Sequence, residues 1–201
     1  MDPADEQALI QRVHDGDRAA LGELLRAHQR RLYNVCFRMV SHPDDAAELT
    51  QDVLLKIVEK IDGFRGDAKL TTWMTRIAMN ASISHLRKRK LRQTVSLNQS
   101  SGGAAGHAGE AEGVSLAGRL PDPREPGPAA CVEQHEMLDE LQTAIAKLDD
   151  DQRAVLVLRD VEELDYHQIA QTLDLPVGTV KSRLFRARLA LREQLNPAST
   201  P

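Results

Sequence analysis

The sequence predicts an all-α protein of two small helical domains joined by a flexible linker, with a helix-turn-helix in the C-terminal domain. Aromatic residues make up only 3% of the 201 residues, so the core depends on aliphatic side chains, which favours helices over a sheet sandwich. Apolar residues recur at helical spacing in both halves of the chain. Residues 93–130 contain seven of the twelve glycines and four of the nine prolines, which is typical of a flexible linker.

The first domain, residues 1–92, is predicted to consist of helices. Apolar periodicity indicates two helices between Asp5 and Val40, separated by a breaker at 14–17. A further helix is predicted from Asp44 to Ile61. Its buried stripe is predicted to contain Ala47, Thr50, Val53 or Leu54, Ile57 or Val58, and Ile61. The outward face carries Glu48, Asp52, Leu55 and Glu59. An acidic face is usually only solvated, but an exposed leucine inside it indicates a protein partner.

The last helix of the first domain is predicted from about Leu70 to Arg92, after a loop at 62–67. Its end has five positive charges in six residues: Arg87, Lys88, Arg89, Lys90 and Arg92. This exceeds what the dipole of a helix C-terminus needs and suits a DNA backbone. Trp73, in the first turn, is more often a core residue than a base-stacking platform, and periodicity leaves both interpretations open.

The second domain, residues 131–196, begins with an amphipathic segment. The run Asp149-Asp150-Asp151 is predicted to cap the following helix, for which the core candidates are Val155, Leu156 and Leu158. Asp165 and Gln168 have the spacing of a capping box, and they open the first of two helices joined by a tight turn.

The turn and the second of these helices carry the signature of a DNA-reading motif. Asp174 stands where glycine is common, and aspartate tolerates left-handed backbone better than most residues. The buried stripe of the second helix is predicted to be Val180, Leu184, Ala187 and Leu191, and the opposite side carries Gly178, Ser182, Phe185, Arg186 and Leu189. An ordinary helical hairpin with a solvated basic face is the alternative. The turn chemistry, small Ala170 and the nearly acid-free second helix together favour DNA reading.

Composition limits the other function classes. The net charge is −4, but the basic residues cluster in two patches suited to phosphate. A signal peptide and a long apolar run are both missing, which predicts a cytoplasmic protein with no membrane insertion. Cys36 lies in an apolar run and is predicted to be core, and with Cys131 it forms no disulfide framework. No His or Cys pair has convincing metal-ligand spacing, so no metal or cofactor is expected.

Five segments in a fixed order carry a family resemblance. They are DAAELTQDVLLKI (45–57), FRGDAKLTTWMTRIAMN (64–80), ISHLRKRK (83–90), LDDDQRAVLVLRD (148–160) and DYHQIAQTLDLPVGTVKSRLFRARLAL (165–191). The chain resembles an extracytoplasmic-function (ECF) sigma factor, a small promoter-specificity subunit of bacterial RNA polymerase. The resemblance implies that the first domain binds the clamp helices of the polymerase largest subunit and melts the −10 element. It also implies that the second domain reads the −35 element and contacts the flap region.

The resemblance assigns these roles to particular residues. Polymerase binding falls on Glu48, Gln51, Asp52 and Leu55. Binding of the −10 element falls on the loop after Phe64 and on Trp73, Arg76, Asn80, Arg87, Lys88, Arg89 and Lys90. Binding of the −35 element falls on Lys181, Ser182, Phe185 and Arg186. Arg183 and Arg188 on the same helix are predicted to bind DNA mainly through phosphate. The resemblance implies no catalytic residue, and it leaves open whether an anti-sigma factor holds the protein inactive.

Two other functions compete with this interpretation. A stand-alone helix-turn-helix regulator would usually show a ligand pocket or a dimerisation helix and would not need the segment from Trp73 to Arg92. A nuclease is supported only by clustered carboxylates, which on a single helix face are better explained as a partner surface. Transcription from a defined promoter by core polymerase supplied with the purified chain would separate the three.

Overall fold

The computed structural model describes residues 3–99, 137 and 140–195, and within them the chain is helical with no strand. The helices are α1 (Pro3–His14), α2 (Arg18–Val40), α3 (Pro43–Lys60), α4 (Leu70–Gln99), α5 (140–146), α6 (Asp150–Leu156), α7 (Tyr166–Leu173) and α8 (Val177–Leu195). The predicted all-α class is confirmed. Helix α4 continues past Arg92 to Gln99, into the range 93–130 that was predicted as linker. The rest of that range lies outside the described residues, and so does Cys131.

Helices α1–α4 form the first module, in which α2, α3 and α4 pack against one another. The Asp17 carboxylate accepts bonds from the Ala19 and Ala20 amides at 2.8 and 3.1 Å and so begins α2, and these bonds lower its pKa. Ser41 ends α2 with a left-handed φ of 56°. The largest fully buried side chains of the module are aliphatic: Leu24, Leu32, Met39, Ile57, Ile61, Leu70, Met74, Met79 and Leu86. Cys36 is buried as predicted, and burial raises the pKa of its thiol.

The predicted register of α3 needs one correction. Ala47 is exposed, and its neighbour Ala46 is fully buried in its place. Of the pair Ile57 and Val58, Ile57 faces the core and Val58 is 40% exposed. One residue turns a helix by about 100°, so the apolar stripe runs one position earlier than predicted at the helix start.

Helices α5–α8 form the second module. Asp149 occupies the N-cap position of α6, as predicted, but its side chain makes no capping hydrogen bond. Val155, Leu156 and Leu158 are buried as predicted, and a π-helical segment (Val157–Val161), which contains Leu158, follows α6. The Glu162 amide donates to the Val157 carbonyl five residues back, which closes this wider turn.

Both predicted features of the helix-turn-helix are confirmed. Asp165 and Gln168 form a complete capping box, with the Asp165 amide donating to Gln168 Oε1 at 2.9 Å. Asp174 has the left-handed φ of 53°, and the Leu175 amide closes the turn by donating to the Ala170 carbonyl at 2.9 Å.

The two modules contact each other through one continuous apolar core. Helix α6 and the π-helical segment touch α2, while α6 and α7 touch α4. Within the described residues, no helix is long and apolar enough to cross a membrane.

His28 on α2 gives the fold a pH dependence. Its side chain is buried, and Nε2 lies 3.4 Å from Glu6 Oε2 but makes no hydrogen bond within the described residues. Burial lowers its pKa below 6.5, and the charge of Glu6 offsets this only in part. The unfolded chain therefore takes up a proton that the folded chain resists, and stability falls as pH drops through the unfolded pKa.

We expect His28→Gln to flatten the fall in melting temperature between about pH 7.5 and 5. Thermal melts followed by circular dichroism check this, with the exposed His167→Gln as the matched control. A wild-type slope in His28→Gln would show that other groups set the acid sensitivity.

Candidate nucleic-acid interface

Helix α8 is held so that one face points to solvent. Val180, Leu184 and Ala187 are buried against the rest of the second module, as predicted. The opposite face carries Lys181, Ser182, Phe185 and Arg186, all exposed, with Phe185 70% exposed. An exposed phenylalanine on a cationic helix face has no role in the core of the module. Its ring can contact a thymine methyl group or another apolar partner.

Two predicted DNA-binding arginines of α8 are bonded within their own module. Arg183 Nη2 lies 3.0 Å from Asp151 Oδ2. Arg188 donates two bonds to the Asp160 carboxylate, from Nε at 3.1 Å and from Nη2 at 2.5 Å, which raises its pKa further. These pairs brace α8 against α6 and the π-helical segment. The exposed Lys181 and Arg186 are therefore better placed to reach DNA from this conformation.

Tyr166 supports the start of the outward face. Two cations lie over its ring, with Arg159 Cζ 5.1 Å and Lys181 Nζ 5.5 Å from the ring centroid. Such contacts are worth about 0.5–1 kcal/mol at exposed sites. No pattern in the sequence indicated this position of Tyr166.

The second candidate surface lies along α4. Trp73 is half-buried and its ring packs on Phe64, with centroids 5.3 Å apart, so both interpretations of Trp73 are compatible with its position at the edge of the core. Arg76 and Asn80 are exposed one and two turns further along. Residues 65–69 form the exposed loop before α4, and the Trp73 amide donates to the Lys69 carbonyl at 3.1 Å. The structure thus gathers the loop, the tryptophan and the asparagine on one side of the module.

The basic end of α4 divides into two groups. Arg87 and Lys88 are exposed and make no ion pair within the described residues. Arg89 lies 3.6 Å from Asp45 at the start of α3, and Lys90 lies 2.7 Å from Asp150 of the second module. Part of the basic run that was predicted to bind a DNA backbone is therefore paired with carboxylates in this conformation.

The predicted polymerase face lies on the outer side of α3. Glu48, Gln51, Asp52 and Leu55 are all exposed, and Leu55 is 63% exposed. Val58, 40% exposed, extends the apolar part of this face by one turn. An exposed leucine and valine surrounded by carboxylates form a surface suited to a partner with an apolar centre and a basic rim.

The two candidate DNA surfaces meet in a cleft that was not predicted from the sequence. It measures ≈ 540 Å³, and its lining combines cations of α4 and α8 with carboxylates at the start of α6 and two uncharged residues: Arg87, Lys90, Arg183, Arg186, Asp149, Asp150, Asp151, Ile83 and Gln152. Only the separate charge clusters are visible in the sequence, and their proximity depends on how the modules pack.

Two buried charged residues were also missed. Arg153 is 5% exposed and Glu162 is 7% exposed. Both residues have apolar neighbours in the sequence. A charged side chain that is buried needs an opposite charge or hydrogen-bond partners. Within the described residues, no group of three or more His, Cys, Asp or Glu side chains could hold a metal ion.

Comparison with known proteins gives two family matches and relatives along most of the chain. Residues 24–92 match Sigma-70 region 2, and residues 138–191 match Sigma-70, region 4. The chain is 33% identical over 186 residues to the ECF RNA polymerase sigma factor SigW of Bacillus subtilis, covering 92% of this chain and 94% of SigW. It is 31% identical over 192 residues to the ECF RNA polymerase sigma-E factor of Escherichia coli K12, covering 96% of this chain and 95% of that protein.

Solved structures have the same fold. The sigma factor RpoE of Bartonella quintana, solved in complex with the anti-sigma factor NepR, has a TM-score of 0.63 at 25% identity, over 89% of this chain and 98% of RpoE. CnrH, solved with the cytosolic domain of CnrY, has a TM-score of 0.61 at 21% identity, over 96% of this chain and 99% of CnrH.

Proposed function

The chain belongs to the ECF sigma factors of bacterial RNA polymerase. From this premise we propose which part of the chain binds polymerase and which part binds each promoter element. Residues 1–92 bind the polymerase clamp helices and the −10 element. Residues 131–196 read the −35 element and contact the flap region, and residues 93–130 link the two. The chain acts in the cytoplasm as a non-catalytic initiation factor.

The exposed face of α8 carries this proposal. The residues that the resemblance assigns to the −35 element, Lys181, Ser182, Phe185 and Arg186, all point away from the core. Arginine donates two bonds to a guanine edge, and a hydroxyl bonds either to bases or to phosphate. The ion pairs of Arg183 and Arg188 hold α8 in place, so the helix that carries these side chains is already positioned before DNA binds. The function is tested by transcription from a cognate promoter with core polymerase and the purified chain.

We expect Arg186→Ala to relax sequence preference at one −35 position. A bidentate arginine–guanine contact is worth about 1–3 kcal/mol against the wrong base, so discrimination at that position falls by roughly 5- to 150-fold. Affinities for −35 duplexes with each base pair changed in turn measure this.

Arg192→Ala, an exposed arginine near the end of α8, is the control for this substitution. As a phosphate contact it should weaken binding evenly at all sequences and reduce the salt dependence. Equal losses by both variants at every duplex would contradict base reading by Arg186.

We also propose an anti-sigma partner, because the sigma factor RpoE was solved with one and is similar to this chain along nearly its whole length. Affinity capture of the tagged chain from its native host tests this. Recovery of core polymerase alone would count against it.

A further inference from the structure

We propose that Asp151 and Asp160 are specificity-determining positioning residues: their ion pairs with Arg183 and Arg188 fix the rotation of α8 and keep both arginines from DNA phosphates. We call these two ion pairs the aspartate brace. The inference rests on the proposed function, because that function assigns α8 to the −35 element. It replaces the prediction that Arg183 and Arg188 bind DNA through phosphate.

The two arginines lie on opposite sides of the buried stripe of α8. One residue turns an α-helix by about 100°, so Arg183 and Arg188 are separated by about 140° around the helix axis. Buried Val180, Leu184 and Ala187 lie between them around the helix. Burial of apolar side chains is non-directional and sets the rotation of a helix only loosely. A directional bond on each side of the stripe opposes rotation in both senses.

The two carboxylates come from one continuous stretch of the second module. Asp151 lies in the first turn of α6, and its Oδ2 is 3.0 Å from Arg183 Nη2. Asp160 lies in the π-helical segment that follows α6, and it accepts two bonds from Arg188, from Nε at 3.1 Å and from Nη2 at 2.5 Å. A two-bond contact between arginine and a carboxylate fixes orientation as well as distance. The aspartate brace therefore holds α8 against both ends of this stretch.

The rotation of α8 determines which bases its exposed side chains can reach. Ser182, Phe185 and Arg186 are exposed on the face away from the buried stripe. A binding group must be held within roughly 0.5 Å and 10–20° of its productive position to act specifically. Contacts to base edges carry the sequence preference, whereas contacts to phosphate do not. A helix free to rotate would therefore lose preference for one sequence before it lost affinity for DNA.

The aspartate brace also limits the positive charge that α8 offers to phosphate. Arg183 and Arg188 bond back to their own module, beside the buried stripe. Within the described residues, Lys181, Arg186 and Arg192 are the cations of α8 that have no carboxylate partner. Every cation that binds a phosphate tightens binding to all sequences alike. Withholding two of them raises the ratio of specific to non-specific binding.

The ion pairs are broken by Asp160→Asn and, on the other side of the stripe, by Asp151→Asn. Asparagine has nearly the same size as aspartate and no charge, and exposed ion pairs contribute little to stability, so both variants should remain helical by circular dichroism. The matched control is Glu163→Gln, which removes the same charge three residues from Asp160. Glu163 is exposed and makes no ion pair within the described residues.

Affinities of the full-length chain are measured for a −35 duplex and for a scrambled duplex of equal length. A released arginine that binds one phosphate steepens the slope of log affinity against log salt by about 0.9, an additional loss of about 3.5-fold between about 50 and 200 mM salt. We expect this steeper slope in Asp160→Asn and Asp151→Asn on both duplexes, together with a lower ratio of −35 to scrambled affinity. Glu163→Gln should match the wild type in both measurements.

Arg188→Ala in the Asp160→Asn background separates the released charge from the loosened helix. The steeper slope should disappear, because the released cation is gone. The preference for the −35 duplex should stay below that of the wild type, because the ion pair is still missing. A steep slope that persists in the double variant, full recovery of its preference, or equal steepening by Glu163→Gln would overturn the proposal. So would a wild-type slope in both single aspartate variants.

Transcription by the wild-type chain with core polymerase keeps this test separate from the proposed function. The salt slope does not depend on sequence, so the aspartate brace can be measured on the scrambled duplex alone. If the wild type neither initiates nor prefers the −35 duplex while the aspartate variants show the steeper slope, the proposed function is wrong and the withholding of the arginines stands. If the wild type initiates and prefers the −35 duplex but the variants keep its slope, the aspartate brace is wrong.

Discussion

The double variant Asp52→Lys with Leu55→Ala is expected to abolish co-purification of the chain with core RNA polymerase while its circular dichroism stays helical. Leu55 is 63% exposed in the free chain, so it is available for burial by a partner. Full burial of a leucine side chain is worth about 1.5–3 kcal/mol, and the lysine places a like charge against a basic partner surface. The combined loss should lower affinity by more than about a hundredfold.

The fold should tolerate this double change because neither side chain contributes to the core. Both residues lie on the solvent side of α3, opposite the buried Val53 and Ile57. The control repeats the same chemistry elsewhere on the first module: Glu23→Lys on α2 with Leu91→Ala on α4, where Leu91 is 67% exposed. Normal co-purification of the α3 variant, or equal loss by the control, would show that this face does not bind polymerase.

The position of this face could be predicted from the sequence because helical periodicity fixes it within one residue. Acidic residues and apolar residues alternate with a period near 3.6, and Glu48, Asp52 and Leu55 are exposed as expected. Ala47 was predicted to be buried but is exposed, and the buried residue is Ala46, one position earlier on the helix. Two adjacent alanines give no hydrophobic contrast, so the pattern could not choose between them.

Local chemistry also fixed the helix-turn-helix. The capping box at Asp165 and the left-handed Asp174 depend on residues within four positions of each other, and both are present. By contrast, the aspartate run before α6 supplies the residue at the N-cap position, Asp149, but its side chain makes no capping bond. Asp150, the next residue of the run, pairs with Lys90 of the other module, a contact that no local rule predicts.

The contacts between modules could not be predicted from local patterns. Glu162 meets Arg31 at a separation of 131 residues, and Arg153 meets Met39 at a separation of 114. Nothing in the spacing of either residue indicates its partner. The sequence shows a charged residue within each apolar stretch, which indicates that a partner must exist but does not identify it.

The predicted strand-opening site on α4 gives the most specific expectation for a single side chain. Trp73 packs on Phe64 at the edge of the core, the exposed loop 65–69 lies beside it, and Asn80 is exposed on the same helix. Opening a duplex requires a pocket for an unstacked base and cations that hold the single strand. The loop and Trp73 can form the wall of such a pocket, and exposed Arg87 and Lys88 can hold the backbone beyond it.

Asn80→Ala, or replacement of residues 65–69 by glycine and serine, is therefore expected to leave polymerase binding intact and to block promoter melting. An amide that bonds a base edge through both donor and acceptor is worth about 1–3 kcal/mol, so open complexes should fall by roughly 5- to 150-fold for Asn80→Ala. Permanganate footprinting of unpaired thymines at the −10 region measures this. The control Gln29→Ala removes an exposed helical amide from α2 and should leave the footprint unchanged.

A promoter with a pre-melted bubble separates strand opening from the other steps of initiation. If Asn80 and the loop act on the base that leaves the stack, a bubble that is already open replaces part of the strand separation that the variants cannot perform. Transcription by both variants should then partly recover. A structural defect in the first module would instead reduce transcription on duplex and bubble alike. Normal permanganate reactivity of both variants on duplex DNA would place the strand-opening site elsewhere, and the exposed Asn80 would then be only a solvated residue of α4.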